Sequence, residues 1–179
     1  KRLPTTAAQQ VKALITGVFT DHAENVLIFG KPGSGKTHLL CAIGQEIIKK
    51  ERSVLFTTCS MLVQELLQAK RDLKLPGMLK KLSKFDALII DEIGYVQQDR
   101  EEMEVLFTLM AERYERGSIM LSSNFSFSKW EKIFKDPMVT AAAIDRLVHH
   151  SVIVELNLDS YRMEHAKNYR KMSGDSNAN

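Results

Sequence analysis

Five short apolar runs punctuate the chain, and between them apolar positions recur at helical spacing. The runs are Val26-Leu27-Ile28-Phe29, Val54-Leu55-Phe56, Ala87-Leu88-Ile89-Ile90, Ile119-Met120-Leu121 and Val152-Ile153-Val154. Bounded by polar residues and too short for buried helices, they predict strands over 25–29, 52–57, 86–90, 118–122 and 151–155. The intervening segments predict helices. Thr5 or Thr6 caps the first, with Val11, Leu14, Ile15 and Val18 on one face. A second spans 36–50. Ser60 caps a third reaching about Lys70, with Leu62, Leu66 and Leu67 inward. Pro76 starts a short extra helix ending near Leu82. A long helix over 100–116 carries Met103, Leu106 and Met110 as a stripe and stops at Gly117. Helical stretches begin again at Ser128 and at Met138. Strands alternating with helices predict an α/β fold: a five-stranded parallel sheet covered by helices on both faces. Ligands of such sheets bind outside the carboxyl ends of the strands.

The first strand runs into Gly30-Lys31-Pro32-Gly33-Ser34-Gly35-Lys36-Thr37, which fits G-x-x-x-x-G-K-[ST], the phosphate-binding P-loop. Glycines let the backbone turn tightly, so that successive N–H groups point at an anion. The helix that opens at Lys36 puts its N-terminus under the phosphates. Lys36 is placed to reach the β- and γ-phosphates and Thr37 to ligate Mg²⁺, with His38 next in the nucleotide-binding set. Glycine is only about 7% of ordinary sequence, so this spacing outweighs a chance Gly-Pro turn before a helix.

The other strand ends carry matching chemistry. Asp91 and Glu92 follow the third apolar run, where Asp91 would hold the Mg²⁺ shell and Glu92 could polarise a water for in-line attack on the γ-phosphate. Asn124 lies just past the fourth strand. Its neutral amide can position that water or touch the γ-phosphate, unless it is simply a turn residue. Arg146 precedes the fifth strand and Arg162 follows it. Either is by default a surface ion-pair residue; Arg146 as an arginine finger would act on a neighbour's nucleotide and so force self-association.

Net charge is +3 over 179 residues, so any nucleic-acid contact must come from clustering. Lys70, Arg71, Lys74, Lys80, Lys81 and Lys84 form such a cluster between the second and third strands, opposed by Asp72. It could track the phosphates of duplex DNA, or be a solvated helical hairpin. Lys167, Arg170 and Lys171 make a weaker cluster that reads as solvated. Apolar residues at 44% and charged residues at 26% describe an ordinary soluble domain. No stretch reaches about 18 apolar residues, which excludes a spanning helix. Cys41 and Cys59 lack metal-ligand spacing and read as buried thiols of a reducing compartment. His149-His150 has no further ligand at suitable spacing, so a metal site is not expected there. Trp130 is expected to pack between a helix and the sheet. The chain opens on Lys1 and reaches its first strand within thirty residues, which reads as a piece of a longer protein.

These residues together resemble the IstB-like transposition helper ATPases, in the helicase-loader branch of the AAA+ family. The likeness runs from about Glu24 to Arg162. It rests on Glu24-Asn25-Val26-Leu27, Lys36-Thr37-His38-Leu39, Ser53-Val54-Leu55-Phe56-Thr57-Thr58, Asp91-Glu92-Ile93-Gly94-Tyr95, Glu112-Arg113-Tyr114-Glu115-Arg116 and Ser123-Asn124. Most specific are Phe127-Ser128-Lys129-Trp130, Asp136-Pro137, Asp145-Arg146-Leu147-Val148-His149-His150 and Ser160-Tyr161-Arg162.

The resemblance implies that 1–172 is a P-loop NTPase (AAA+) domain with a reduced or absent C-terminal lid, and that the family's N-terminal region lies outside this sequence; the small, polar residues 173–179 read as a flexible tail. It implies ATP and Mg²⁺ as cofactors, Asn124 as sensor 1, Arg146 as the arginine finger and Arg162 as sensor 2. The short segment near Pro76 resembles the insertion through which such proteins engage nucleic acid. The expected function is ATP-driven assembly on target duplex DNA, as a homo-oligomer in the bacterial cytoplasm, with recruitment and stimulation of a cognate transposase. A helicase loader shares the same site. A small-molecule kinase is the third reading, against which Asp91-Glu92 and Asn124 favour water as the acceptor.

Overall fold

Successive residues of each central strand feed two different cores. In β1 (Asn25–Gly30), Val26 and Ile28 pack on one side of the sheet and Leu27 and Phe29 on the other. In β3 (Ala87–Ile93), Ala87 and Ile89 join the first side, and Leu88 and Ile90 the second. This is the two-residue repeat of a strand buried on both faces, and it explains why the runs read as continuously apolar. The computed structural model describes residues 3, 5–94, 99–130, 137–158 and 160.

The other strands are β2 (Val54–Thr58), β4 (Ser118–Ser123) and β5 (Ser151–Leu156). All pairings are parallel, in the order β2-β3-β4-β1-β5. α1 (Thr5–Leu14) and α2 (Lys36–Ile48) cover one face. α3 (Cys59–Arg71), α4 (Leu75–Leu82), α5 (Arg100–Arg113) and α6 (Pro137–Val148) cover the other. The expected α/β architecture is therefore the observed one. No helical layer follows β5 among the described residues, and no helix among them is long and apolar enough to cross a membrane.

The strand order positions the site. β4 lies between β1 and β3, and the register pairs Leu27 with Leu121 and Leu121 with Ile90. One residue further on, Ile28 pairs with Ser122, and Asp91 follows Ile90 where the β3–β4 register shifts, just below the Gly30 turn.

Several local details differ from the sequence pattern. α1 stops at Leu14, because Gly17 at φ 78° turns the chain into a 3-10 segment, Val18–His22. Ile15 and Val18 are consequently exposed. Thr58, not Ser60, caps α3, accepting from the Met61 amide at 3.3 Å. α5 starts at an Asp99 capping box and ends at Arg113, short of residue 116. It ends there because Arg113 is drawn inward: its guanidinium donates to the carbonyls of Leu82 (2.9 Å), Phe85 (2.9 Å), Asp86 (3.3 Å) and Ser118 (3.0 Å). Burial pushes Arg113 down to about 10, with the Asp86 carboxylate opposing. Gly117 is small for the same reason, since a Cβ there would lie 2.4 Å from the Arg113 Nη2. Trp130 is fully buried beside Phe29 and Phe127, its Nε1 donating to the Phe125 carbonyl at 3.2 Å.

Candidate nucleotide site

β1 ends in the glycine loop and α2 begins immediately after it. Gly35 takes φ 97°, a left-handed turn that a side chain disfavours, and no atom lies within 4 Å of where its Cβ would sit. The open space over Gly35 faces the start of α2, whose first-turn amides have no intrahelical partner. Ser34 Oγ is buried with no hydrogen-bond partner. Lys36 is 6% exposed, and its Nζ donates to the carbonyls of Gly30 (2.9 Å) and Lys31 (3.0 Å) and to Asn124 Oδ1 (2.6 Å). A spare hydroxyl, an ammonium, open space and a helix N-terminus fit a phosphate group. Lys31, Pro32 and His38 are exposed around this loop.

Two β4 serines organise the acids of β3. Ser122 Oγ donates to Asp91 Oδ1 at 2.5 Å and accepts from the Glu92 amide at 2.9 Å. Ser123 Oγ donates to the Ile93 carbonyl at 3.1 Å. These bonds span the place where the β3–β4 register shifts, between Ile90 and Ile93. The bulge turns successive acids to different environments. Asp91 is buried, whereas Glu92 is exposed at φ 63°, a strained conformation for a residue with a side chain. The Asp91 carboxylate, held through one oxygen, keeps the other for a cation. Thr37 is half-buried in the first turn of α2 and shares a helix face with Cys41, four residues on. Burial pushes the Cys41 thiol up, and the Asp91 carboxylate adds to the rise. That face of α2 therefore looks toward Asp91. A threonine hydroxyl and a carboxylate are hard oxygen donors suited to Mg²⁺.

Arg146 is elsewhere. It is exposed in the last turn of α6, its Nη1 donating to the Ala142 carbonyl at 3.1 Å. Its neighbour Leu147 accepts from Asn25 Nδ2 at 3.1 Å, at the amino end of β1. The P-loop lies at the other end of that strand, roughly 17 Å away by strand rise. Arg162 falls outside the described residues, as do 173–179 and the Lys167, Arg170 and Lys171 cluster. In the basic segment, Arg71, Lys74, Lys80, Lys81 and Lys84 are exposed, while Lys70 pairs with Glu104 at 2.9 Å. Leu73, at the tip between α3 and α4, is 91% exposed at φ 57°. Sequence reasoning missed Ser122, which carries no motif of its own; only its bond to Asp91 across the sheet reveals it.

Residues 2–169 match the family described as IstB-like ATP binding protein. The chain belongs to that family. One relative, named as an insertion-sequence ATP-binding protein of Sinorhizobium fredii (strain NBRC 101917 / NGR234), is 44% identical over 173 residues, 96% of this chain and 58% of the relative. Another, named as the ATP-binding protein of insertion sequence IS21 in Pseudomonas aeruginosa, is 40% identical over 154 residues, 86% of this chain and 58% of the relative. This IstB-like chain thus spans under two thirds of the length of these relatives. Among solved structures, its fold is similar to the DnaC helicase loader, with a TM-score of 0.75 at 16% identity over 88% of this chain and 94% of that one. It is also similar to AMPPCP-bound DnaA from Aquifex aeolicus, with a TM-score of 0.69 at 20% identity over 93% of this chain and 50% of that one. Those likenesses establish the P-loop AAA+ fold of this IstB-like protein.

Proposed function

We propose that this protein is an ATP-hydrolysing regulator of DNA transposition, which assembles on target duplex DNA and recruits and stimulates its partner transposase in the bacterial cytoplasm. The observation that carries hydrolysis is the meeting of three strand ends. Lys36 and Asn124 are bonded directly, and Ser122 binds the Asp91 carboxylate and the Glu92 amide. In this reading Lys36 and the loop amides hold the β- and γ-phosphates. Thr37 and Asp91 hold Mg²⁺, which when bound neutralises charge on the phosphate oxygens. Glu92 accepts a proton from the attacking water, and Asn124 orients that water or the γ-phosphate.

The position of Arg146 supports self-association. At the sheet end opposite its own P-loop, it can complete a nucleotide site only on a neighbouring copy. The exposed lysines and Arg71 around Leu73 support a contact with DNA phosphates. The insertion-sequence names of the relatives support a transposase as the partner.

Glu92→Gln in the full-length protein tests the reading. It should keep ATP binding, lose turnover and stay on DNA; wild-type turnover would remove Glu92 from the mechanism. The DnaC-like fold favours a second reading, a helicase loader. Pull-down of the full-length protein with transposase and with replicative helicase separates the two, and capture of helicase alone would overturn the choice.

A further inference from the structure

At the amino end of the sheet, away from the nucleotide loop, Glu115, His149 and His150 each offer one ligand atom, all within 4.8 Å of one another. The two histidines are adjacent in sequence, and the spacing offers them no further ligand. The fold brings in Glu115, in the turn two residues past the end of α5, where it takes φ 57°. We propose that these three side chains form a binding site for a divalent transition metal, Zn²⁺ by its chemistry.

The donor set is two imidazoles and one carboxylate, which suits zinc and leaves its fourth position open. Tetrahedral zinc holds its ligand atoms about 3.3 Å apart, so exposed side chains need to close by only about 1.5 Å. The backbone beneath them is fixed. The His149 amide donates to the Asp145 carbonyl at 3.0 Å, and the His150 carbonyl accepts from the Asn25 amide at 2.7 Å. Arg113, two residues before Glu115, ties down the end of α5 through its four carbonyl bonds. The Tyr114 hydroxyl lies 2.9 Å from His149 Nδ1, which orients that ring and leaves its other nitrogen for a metal. His150 Nε2 lies 3.9 Å from Glu115 Oε1, with the two imidazole rings stacked edge to face at 4.1 Å. A bound metal would join the end of α5 to the α6–β5 turn, three residues past Arg146.

The test is zinc binding by the chelator-stripped, full-length protein in millimolar Mg²⁺, which occupies oxygen-only sites such as Thr37 and Asp91. Competition with a chromophoric chelator should give one Zn²⁺ per chain. The double variant His149→Ala/His150→Ala and the single variant Glu115→Ala should each bind at least about tenfold more weakly, and Tyr114→Phe by a smaller factor. Thermal unfolding without zinc checks that the variants fold; Co²⁺ substitution, with visible absorption bands of a tetrahedral site, gives a second readout if one does not. Absence of zinc uptake at about ten micromolar, or uptake unchanged in the double variant, overturns the proposal.

Discussion

Lys36 Nζ and Asn124 Oδ1, 88 residues apart in the chain, are joined by a 2.6 Å hydrogen bond. The contact follows from strand order, since β4 is the direct neighbour of β1. An ammonium only donates, so the amide must turn its oxygen toward Lys36. Its NH₂ end is thereby left as the donor for a phosphate oxygen or a water.

The two residues should therefore fail differently. Lys36→Ala removes the charge proposed to meet the phosphates, and should abolish nucleotide binding. Asn124→Ala should leave binding within a few-fold of wild type and lower turnover about 10²-fold, the scale of a lost positioning donor. Fluorescent-nucleotide titration and phosphate release measure the two effects. Equal loss of binding in both variants would sink the distinction.

Ser122 couples Asp91 and Glu92, so its loss should disturb both acids together. Ser122→Ala strips a buried carboxylate of its hydrogen-bond donor and an amide of its acceptor, at a cost of about 1–3 kcal/mol in stability. Turnover should drop more than ATP affinity, because the loop and Lys36 are untouched. Ser122→Thr, which keeps the hydroxyl, should recover much of the turnover. If alanine and threonine behave alike, the hydroxyl is not what positions the acids.

The sheet was legible in the sequence because burial on both faces makes its strands uniformly apolar, as Leu88-Ile89-Ile90 shows. The loop was legible because phosphate binding constrains glycines at fixed spacing. What escaped was set by tertiary contact. Nothing around Ser122 announces that it meets Asp91, since that depends on strand register. Glu115 gives no hint of meeting His149 and His150, because the end of α5 is fixed by Arg113 reaching carbonyls on two other segments. The cap of α3 moved from Ser60 to Thr58 because strand and helix abut without a linker, so the strand's last residue is also the cap.

Asp86 predicts an acid-sensitive element. Its Oδ2 accepts from both the amide and the hydroxyl of Ser53, each at 2.7 Å, pinning the start of β3 to the segment before β2. Burial pushes the Asp86 carboxyl up, but the Ser53 bonds and the Arg52 guanidinium together outweigh it and hold it below its ordinary 3.8. A carboxyl depressed in the folded state contributes stability above its unfolded value and loses it as pH falls through the folded one. Asp86→Asn should therefore lower the urea midpoint at pH 7, and the gap from wild type should shrink below pH 3.8. A gap that is constant with pH would mean that the charge contributes nothing.

Arg146 lies at the far end of β1 from its own P-loop, so the finger role proposed for it predicts a contribution that appears in mixtures. Arg146→Ala keeps an intact site and lacks a finger, whereas Glu92→Gln keeps the finger and lacks a base. Each full-length variant alone should be nearly inactive, since a finger supplies about 10³–10⁵ in rate. In a head-to-tail assembly mixed at equal amounts, about a quarter of junctions should pair an intact site with an intact finger. ATPase activity should then rise on mixing, with a maximum near equal proportions. If mixing restores nothing, while light scattering shows that the two variants co-assemble, Arg146 is not a finger acting between copies.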